Sequence, residues 1–188
     1  MQRVIRLALV ATVACAVTAT VAGQKTTPGV VGEQTGVGTG GSPHWKADWT
    51  IHGAHIVMEY GRPYLKGRPE SQMMPPGKPW RTGADEATII TSDKPLTFGT
   101  IALAAGTTYT INTQPGETWQ LVIGKLSQKG QWGIPYQPAL EIGRAPMTVG
   151  KTAAPVEQVT FFVDSTASGG TLRLEWGTTR ATIPFKVG

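Results

Sequence analysis

The sequence predicts an all-β fold, an antiparallel β-sandwich or open barrel of about nine or ten strands. Three observations predict it. After residue 44, apolar residues recur at every second position in short runs, and no stretch holds a sustained 3.6-residue period. Turn-forming residues separate these runs at the spacing of a sandwich or barrel. Neighbouring runs are joined by short connections, which favours hairpins over parallel crossovers.

The first strand is expected over Trp45–Ile51, and His52-Gly53 turns it into a second, where Ala54, Ile56, Met58 and Tyr60 alternate with more polar neighbours. A long polar stretch follows. Ala87–Thr91 resumes as a strand, and Ser92-Asp93-Lys94-Pro95 turns it. Leu96–Leu103 is strand-like but interrupted at Gly99. Thr107–Asn112 and Trp119–Ile123 form the next pair, across Gln114-Pro115-Gly116-Glu117. Lys125–Pro135 reads as a loop carrying Gln131-Trp132-Gly133. Ala139–Arg144 and Met147–Val149 are weak strands; Val156–Val163, Thr171–Trp176 and Thr182–Val187 are strong ones.

Ahead of this domain, which is expected to span residues 44–188, the chain has two other parts. Residues 1–23 have the form of a secretory signal: Arg3 and Arg6 precede an uncharged apolar run, Leu7–Ala22, and Val21-Ala22-Gly23 offers small residues for cleavage. Export to the periplasm or the extracellular space follows as an expectation, with membrane contact only through the signal before cleavage. Cys15, the only cysteine, allows a lipoprotein alternative, although Thr12 stands where leucine is usual. Cleavage after Gly23 would leave no cysteine, so the fold must rest on burial. Residues 24–43, rich in glycine and threonine, are expected to form a flexible leader, because they carry too little apolar surface to offset their ordering entropy. Removing Arg3 and Arg6 takes the formal charge of +5 to +3, with no long basic stripe, and nucleic acid is not expected as a partner.

The densest charge lies between Tyr60 and Thr88. This stretch holds Arg62, Lys66, Arg68, Lys78 and Arg81 with Glu70, Asp85, Glu86 and Trp80, on a backbone stiffened by five prolines and loosened by four glycines. It carries Tyr-x-Arg-Pro-x-x-Lys-Gly-Arg over Tyr60–Arg68 and Gly-Lys-x-Trp-Arg-Thr-Gly-Ala-x-Glu-Ala-Thr over Gly77–Thr88. Ser42-Pro43-His44 precedes it. Ala104–Tyr109, Gln131-Trp132-Gly133, Pro155-Val156-Glu157 and the closing Leu172–Trp176 follow. Together these motifs resemble a family of secreted bacterial proteins, domain-of-unknown-function family 2911, over about residues 42 to 187. The resemblance implies an exported β-sandwich-like domain and supplies no reaction. Asp85 replaces an asparagine common in that family, and Pro75-Pro76 stands where an aromatic residue often sits.

Two uses of the charged stretch compete. In one, Arg62, Arg68, Lys78, Trp80, Arg81, Glu86 and His44 line a binding cleft. Arginine offers a planar fork for carboxylate, phosphate or sugar hydroxyls, and tryptophan a face for a sugar ring. The ligand would be a small polar or anionic molecule or a glycan. In the other, Arg62, Arg68 and Arg81 pair with Glu59, Asp85 and Glu86 and pin a long loop onto the sheet. The structural use is the expected one. An enzymatic alternative is an extracytoplasmic hydrolase with Glu86 and His44 in acid–base roles and Arg62 and Arg81 as substrate clamps. Asp85 beside Glu86 does not read as a carboxylate pair, since neighbours on a strand face opposite ways. His44, His52 and His55, even with Asp48 or Glu59, have poor metal-ligand spacing, and neither metal nor cofactor is expected. No serine elbow or phosphate loop occurs.

Overall fold

A computed structural model describes residues 29–188. The signal segment 1–23, Cys15 and residues 24–28 of the leader lie outside the described residues. The domain is all-β, with two antiparallel sheets packed as an open sandwich rather than a closed barrel. The strands are β1 (Glu33–Val37), β2 (Pro43–Ile51), β3 (Ala54–Gly61), β4 (Ile89–Ser92), β5 (Leu96–Phe98), β6 (Ile101–Leu103), β7 (Thr108–Gln114), β8 (Gln120–Lys125), β9 (Glu141–Pro146), β10 (Thr148–Thr166) and β11 (Gly169–Val187). The large sheet runs β1-β2-β3-β4-β7-β8-β9 and the small one β10-β11-β5-β6. A single-turn helix, α1 (Glu70–Met73), and a 3-10 turn, Pro138–Leu140, complete it.

The β2–β3 hairpin shows how local chemistry sets the layers. His52 and Gly53 both take positive φ, 49° and 71°, as the tight hairpin turn compatible with strand twist requires. That turn fixes the register Ile51↔Ala54 through His44↔Gly61. Trp49, Ile51, Ile56, Met58 and Tyr60 then fall on the buried face, while Lys46, Asp48, His55 and Glu59 face outward. The matching inner face of the small sheet supplies Phe98, Phe161, Leu172, Leu174 and Trp176. Burying each of these large side chains contributes on the order of 2 kcal/mol.

Two expectations about the elements, and the strand count, are corrected. The leader is not structureless throughout: residues 33–37 form β1, antiparallel to β2, with Thr35 in a bulge between Gln34 and Gly36. Local composition missed it because its side chains are nearly all exposed and its stability comes from pairing with β2. Leu96–Leu103 is interrupted at Gly99 as expected, where a φ of 58° closes the β5–β6 hairpin. Conversely, the separate strands expected between Met147 and Val187 are two continuous strands of 19 residues each. Pro155 and Gly177 lie just outside the expected strand bounds. Pro155 sits on an edge strand, where a missing N–H is tolerated, and register shifts around Val156 absorb the irregularity. The total is eleven strands.

Candidate functional site

Between β3 and β4 the chain leaves the large sheet and crosses to the small one. Arg62 makes the first attachment. It is 5% exposed. Its Nε donates to Val159 O at 3.0 Å and a terminal nitrogen to Thr160 Oγ1 at 2.9 Å, while Cζ lies 4.5 Å from the Trp45 ring centre. Burial pulls its pKa below the ordinary arginine value, opposed by Tyr60 and Tyr64. Lys66 and Gly67 then turn the chain with φ of 52° and 69°, and Glu157 accepts the Lys66 N–H at 2.7 Å. Glu70 makes the next attachment: its carboxylate accepts from Thr178 N at 2.6 Å, Thr178 Oγ1 at 3.0 Å and Thr179 Oγ1 at 2.5 Å. It rests over Gly177, where a Cβ would meet it at 2.3 Å. Trp80 stacks on buried Trp176, with centroids 5.4 Å apart and planes 12° off parallel. Its backbone pairs with Thr113 in both directions.

Arg81 curls over the chain that follows it. It donates to Gly83 O and Asp85 O, both at 3.2 Å, and a Cβ at Gly133 would meet its Cδ at 2.5 Å. Burial pulls its pKa down, with Asp85 and Glu86 opposing. Inside this curl, Gly83-Ala84 packs directly on the Gly61 backbone: a Cβ on Gly61 would lie 2.3 Å from Ala84 O. Thr82 and Asp85 both adopt positive φ, 56° and 63°. Such conformations cost an ordinary residue about 1–2 kcal/mol, and aspartate and asparagine tolerate them best.

The left-handed turn at Asp85 has a chemical consequence. It breaks the strand alternation, so Asp85 and Glu86 point to the same histidine. His44 Nε2, at the start of β2, lies 3.2 Å from Asp85 Oδ2 and 3.3 Å from Glu86 Oε2. Asp85 is buried and Glu86 is partly exposed. The turn after β1 covers the pair: a Cβ at Gly38 would lie 1.8 Å from Asp85 Oδ2, so only glycine fits there. The imidazole nitrogen is hydrogen-bonded to Asp85 and lies within ion-pair distance of Glu86. Among the described residues, no three His, Cys, Asp or Glu side chains are grouped to hold a metal ion.

Two clefts open on either side of this trio. The first has a volume of about 260 Å³ and lies on the outer face of the large sheet. Its walls are His44, Glu59 and Ile89 from the sheet, Glu86 and Ala87 from the excursion, Thr35 from the β1 bulge, and Leu126, Lys129 and Gln131 from the β8–β9 loop. That loop is fixed by Ala87 N donating to Gln131 O and Gly133 N to Asp85 O. The second cleft, of about 510 Å³, has Tyr64, Lys66, Arg68, Met73, Trp80, Arg81 and Ile134 among its walls.

The model of a protein family of unknown function, DUF2911, matches residues 42–185. The chain belongs to this family. No curated protein and no solved structure matches it. The match begins just before His44 and takes in the whole excursion, so β1, which supplies Thr35 and precedes Gly38, lies outside the matched part of this DUF2911 protein.

The expected site residues of the DUF2911 domain divide into three groups. His44 and Glu86 come together in the first cleft; Arg68, Trp80 and Arg81 line the second. Arg62 is buried beneath Trp45, and Lys78 is exposed and lines neither cleft. The pins of the excursion also differ from expectation. Among the described residues, Arg62, Arg68 and Arg81 form no ion pair with Glu59, Asp85 or Glu86. They bond backbone carbonyls and Thr160, and two of those carboxylates turn to His44 instead. Neither arginine clamp of the hydrolase reading lines the cleft that holds His44 and Glu86: Arg62 is buried beside Trp45 and Arg81 lines the second cleft. Sequence reasoning also set aside Asp85, on the assumption of strand geometry. The small residues Thr82-Gly83-Ala84 before it were the available signal of an irregular backbone. Thr35 and Lys129 carried no local signal, and Gln131 was visible only as part of the Gln131-Trp132-Gly133 motif, because distant segments bring all three to the cleft.

Proposed function

We propose that this DUF2911 protein is an exported, non-enzymatic binding module that takes one small, neutral, hydroxyl-rich ligand, such as a sugar unit of a glycan, in the cleft at His44, Glu59 and Glu86. Export rests on the basic n-region and apolar run of residues 1–23. The observation that carries the binding reading is the composition of the cleft. Apolar walls from Ile89 and Leu126 enclose a small set of converging polar groups, the usual make-up of a ligand pocket. Its volume of about 260 Å³ suits one sugar-sized molecule. Charge selects among the ligands: two carboxylates against one lysine disfavour an anion, whereas carboxylate oxygens accept hydrogen bonds from hydroxyls. The pinned β8–β9 loop supports a preformed site, which limits the ordering entropy of binding.

Calorimetric titration against a panel of neutral hexoses, amino sugars and disaccharides tests this. At least one is expected to bind the wild-type protein, and Glu59→Gln or Glu86→Gln to weaken it about tenfold, the loss of about 1.4 kcal/mol. A panel with no binder, or a binder indifferent to both variants, overturns the reading. The 3.3 Å contact of His44 with Glu86 favours a second reading, acid–base hydrolysis in the same cleft. Turnover of aryl glycosides or esters, abolished by Glu86→Gln, would support it; none by the wild type would remove it.

A further inference from the structure

The second cleft has the opposite chemistry. Lys66, Arg68 and Arg81 line it, and Asp85 is the one carboxylate on its wall. That carboxylate is buried against His44. Among the described residues no carboxylate lies within ion-pair distance of the three cations. They are set instead over rings: Lys66 Nζ is 5.8 Å from the Tyr64 ring centre, and Arg81 Cζ is 5.9 Å from that of Trp132. Arg68 is held by Leu65 O at 2.9 Å and Tyr64 O at 2.5 Å, so its guanidinium is fixed in place without being neutralised. The floor carries Trp80, rigid against Trp176. Ile134, 55% exposed, adds an apolar edge.

Three cations without an ion-pair partner, beside a fixed aromatic floor, select a ligand with both a negative charge and a flat or ring-shaped apolar face. A protein surface free to relax would pair these arginines with its own carboxylates. Here the backbone is held otherwise, with positive φ at Lys66, Thr82 and Asp85, a cost that well-supported sites of function typically bear.

We propose that this cleft is a second binding site, specific for carboxylate-bearing sugars: a uronate ring lies against Trp80, and its carboxylate meets Lys66, Arg68 and Arg81. The site is separate from the neutral-sugar cleft, since the two share no wall residue. An acidic glycan is favoured over inorganic phosphate because the aromatic floor contributes only to a ring-bearing ligand.

The test is calorimetric titration of the intact protein with three probes: a galacturonate trimer, the neutral galactose trimer, and inorganic phosphate. Lys66→Gln combined with Arg68→Gln removes two exposed charges and leaves the Trp80 stack in place. The expected result is binding of the galacturonate trimer that is at least tenfold tighter than the neutral trimer or phosphate, weakened at least tenfold by the double variant, and reduced by added salt. Glu59→Gln, in the other cleft, should leave that affinity unchanged. No binding of the galacturonate trimer, equal affinity for phosphate, or an affinity untouched by the double variant each overturns the proposal. So does loss through Glu59→Gln, which would assign the ligand to the first cleft.

Discussion

Two regions of this molecule concentrate arginine with carboxylate, and they dispose of their charges differently. On the outward face of the small sheet, Arg173 lies 2.9 Å from Asp164 and 2.6 Å from Glu175, with its Cζ 4.1 Å from the Phe162 ring centre. In the excursion between β3 and β4, no arginine meets a carboxylate. Arg62, Arg68 and Arg81 donate to carbonyls and a threonine hydroxyl, Glu70 takes a backbone N–H and two hydroxyls, and Asp85 and Glu86 go to His44. The difference follows from the backbone. Regular strands satisfy their own N–H and C=O groups, so cross-strand side chains are left to pair with each other. The irregular excursion leaves carbonyls open for Arg68 and Arg81, and the register shifts between β10 and β11 leave Val159 O and Thr178 N open for Arg62 and Glu70. The sheet surface is thereby neutralised, while the excursion keeps two separated zones of unlike sign.

Substitutions at four positions sharpen or break this contrast. The largest effect is expected from Arg62→Met, which strips a charged donor from buried Val159 O and Thr160. The loss should be about 3 kcal/mol, since hydrogen bonds to charged groups contribute about 1.5–3 kcal/mol each. At roughly 2–4 °C per kcal/mol, the thermal midpoint should fall by about 6–12 °C. A fall of under 2 °C would break the contrast. Next comes Asp85→Val, which forces a β-branched residue into the left-handed region and should cost about 1–2 kcal/mol. Asp85→Asn should melt within about 2 °C of wild type, since asparagine tolerates that conformation. Equal melting of the two variants would remove the role assigned to the positive φ.

Glu70→Gln should cost about 1 kcal/mol at pH 7, with a pH signature. Burial pushes the Glu70 carboxyl up, but the Thr178 N–H, the Thr179 and Thr178 hydroxyls and the charge of Lys151 outweigh it and hold its pKa below the usual value. A carboxyl with a depressed folded pKa adds stability above its unfolded pKa and loses it as pH falls through the folded value. The melting curves of variant and wild type should therefore converge below about pH 4. A gap that stays constant from pH 7 to 3 would show that the charge of Glu70 is irrelevant. The smallest effect is expected from Arg173→Gln, about 0.5 kcal/mol, shrinking in high salt because its ion pairs are partly exposed. A loss as large as that of Arg62→Met would erase the distinction between the two regions.

The fold was largely legible because strand pairing obeys local rules. The two-residue alternation of Ala54 to Tyr60 and the His52-Gly53 turn are enough to draw the β2–β3 hairpin and to say which side chains face inward. The misreadings share one cause. β1 has no buried face of its own, and Pro155 and Gly177 fall at register shifts within continuous strands. Each is decided by a partner strand. Of the candidate site, the residue types were visible but not their company. Trp80, expected to offer its face to a ligand, is committed on one side to Trp176, 96 positions later in the chain.

By itself, the sequence determined an all-β domain, its order of hairpins and the stretch where charge collects, since those are properties of near neighbours. The tertiary structure alone decided which charges meet. His44 reaches Asp85 across 41 residues, and Arg62 reaches Val159 across 97. The sign of φ at Asp85 turns two adjacent carboxylates toward one imidazole. Periodicity records the side of a strand on which a residue falls. It carries no record of a left-handed residue, or of which distant carbonyl an arginine will satisfy, because both are fixed only when the two sheets and the chain between them pack together.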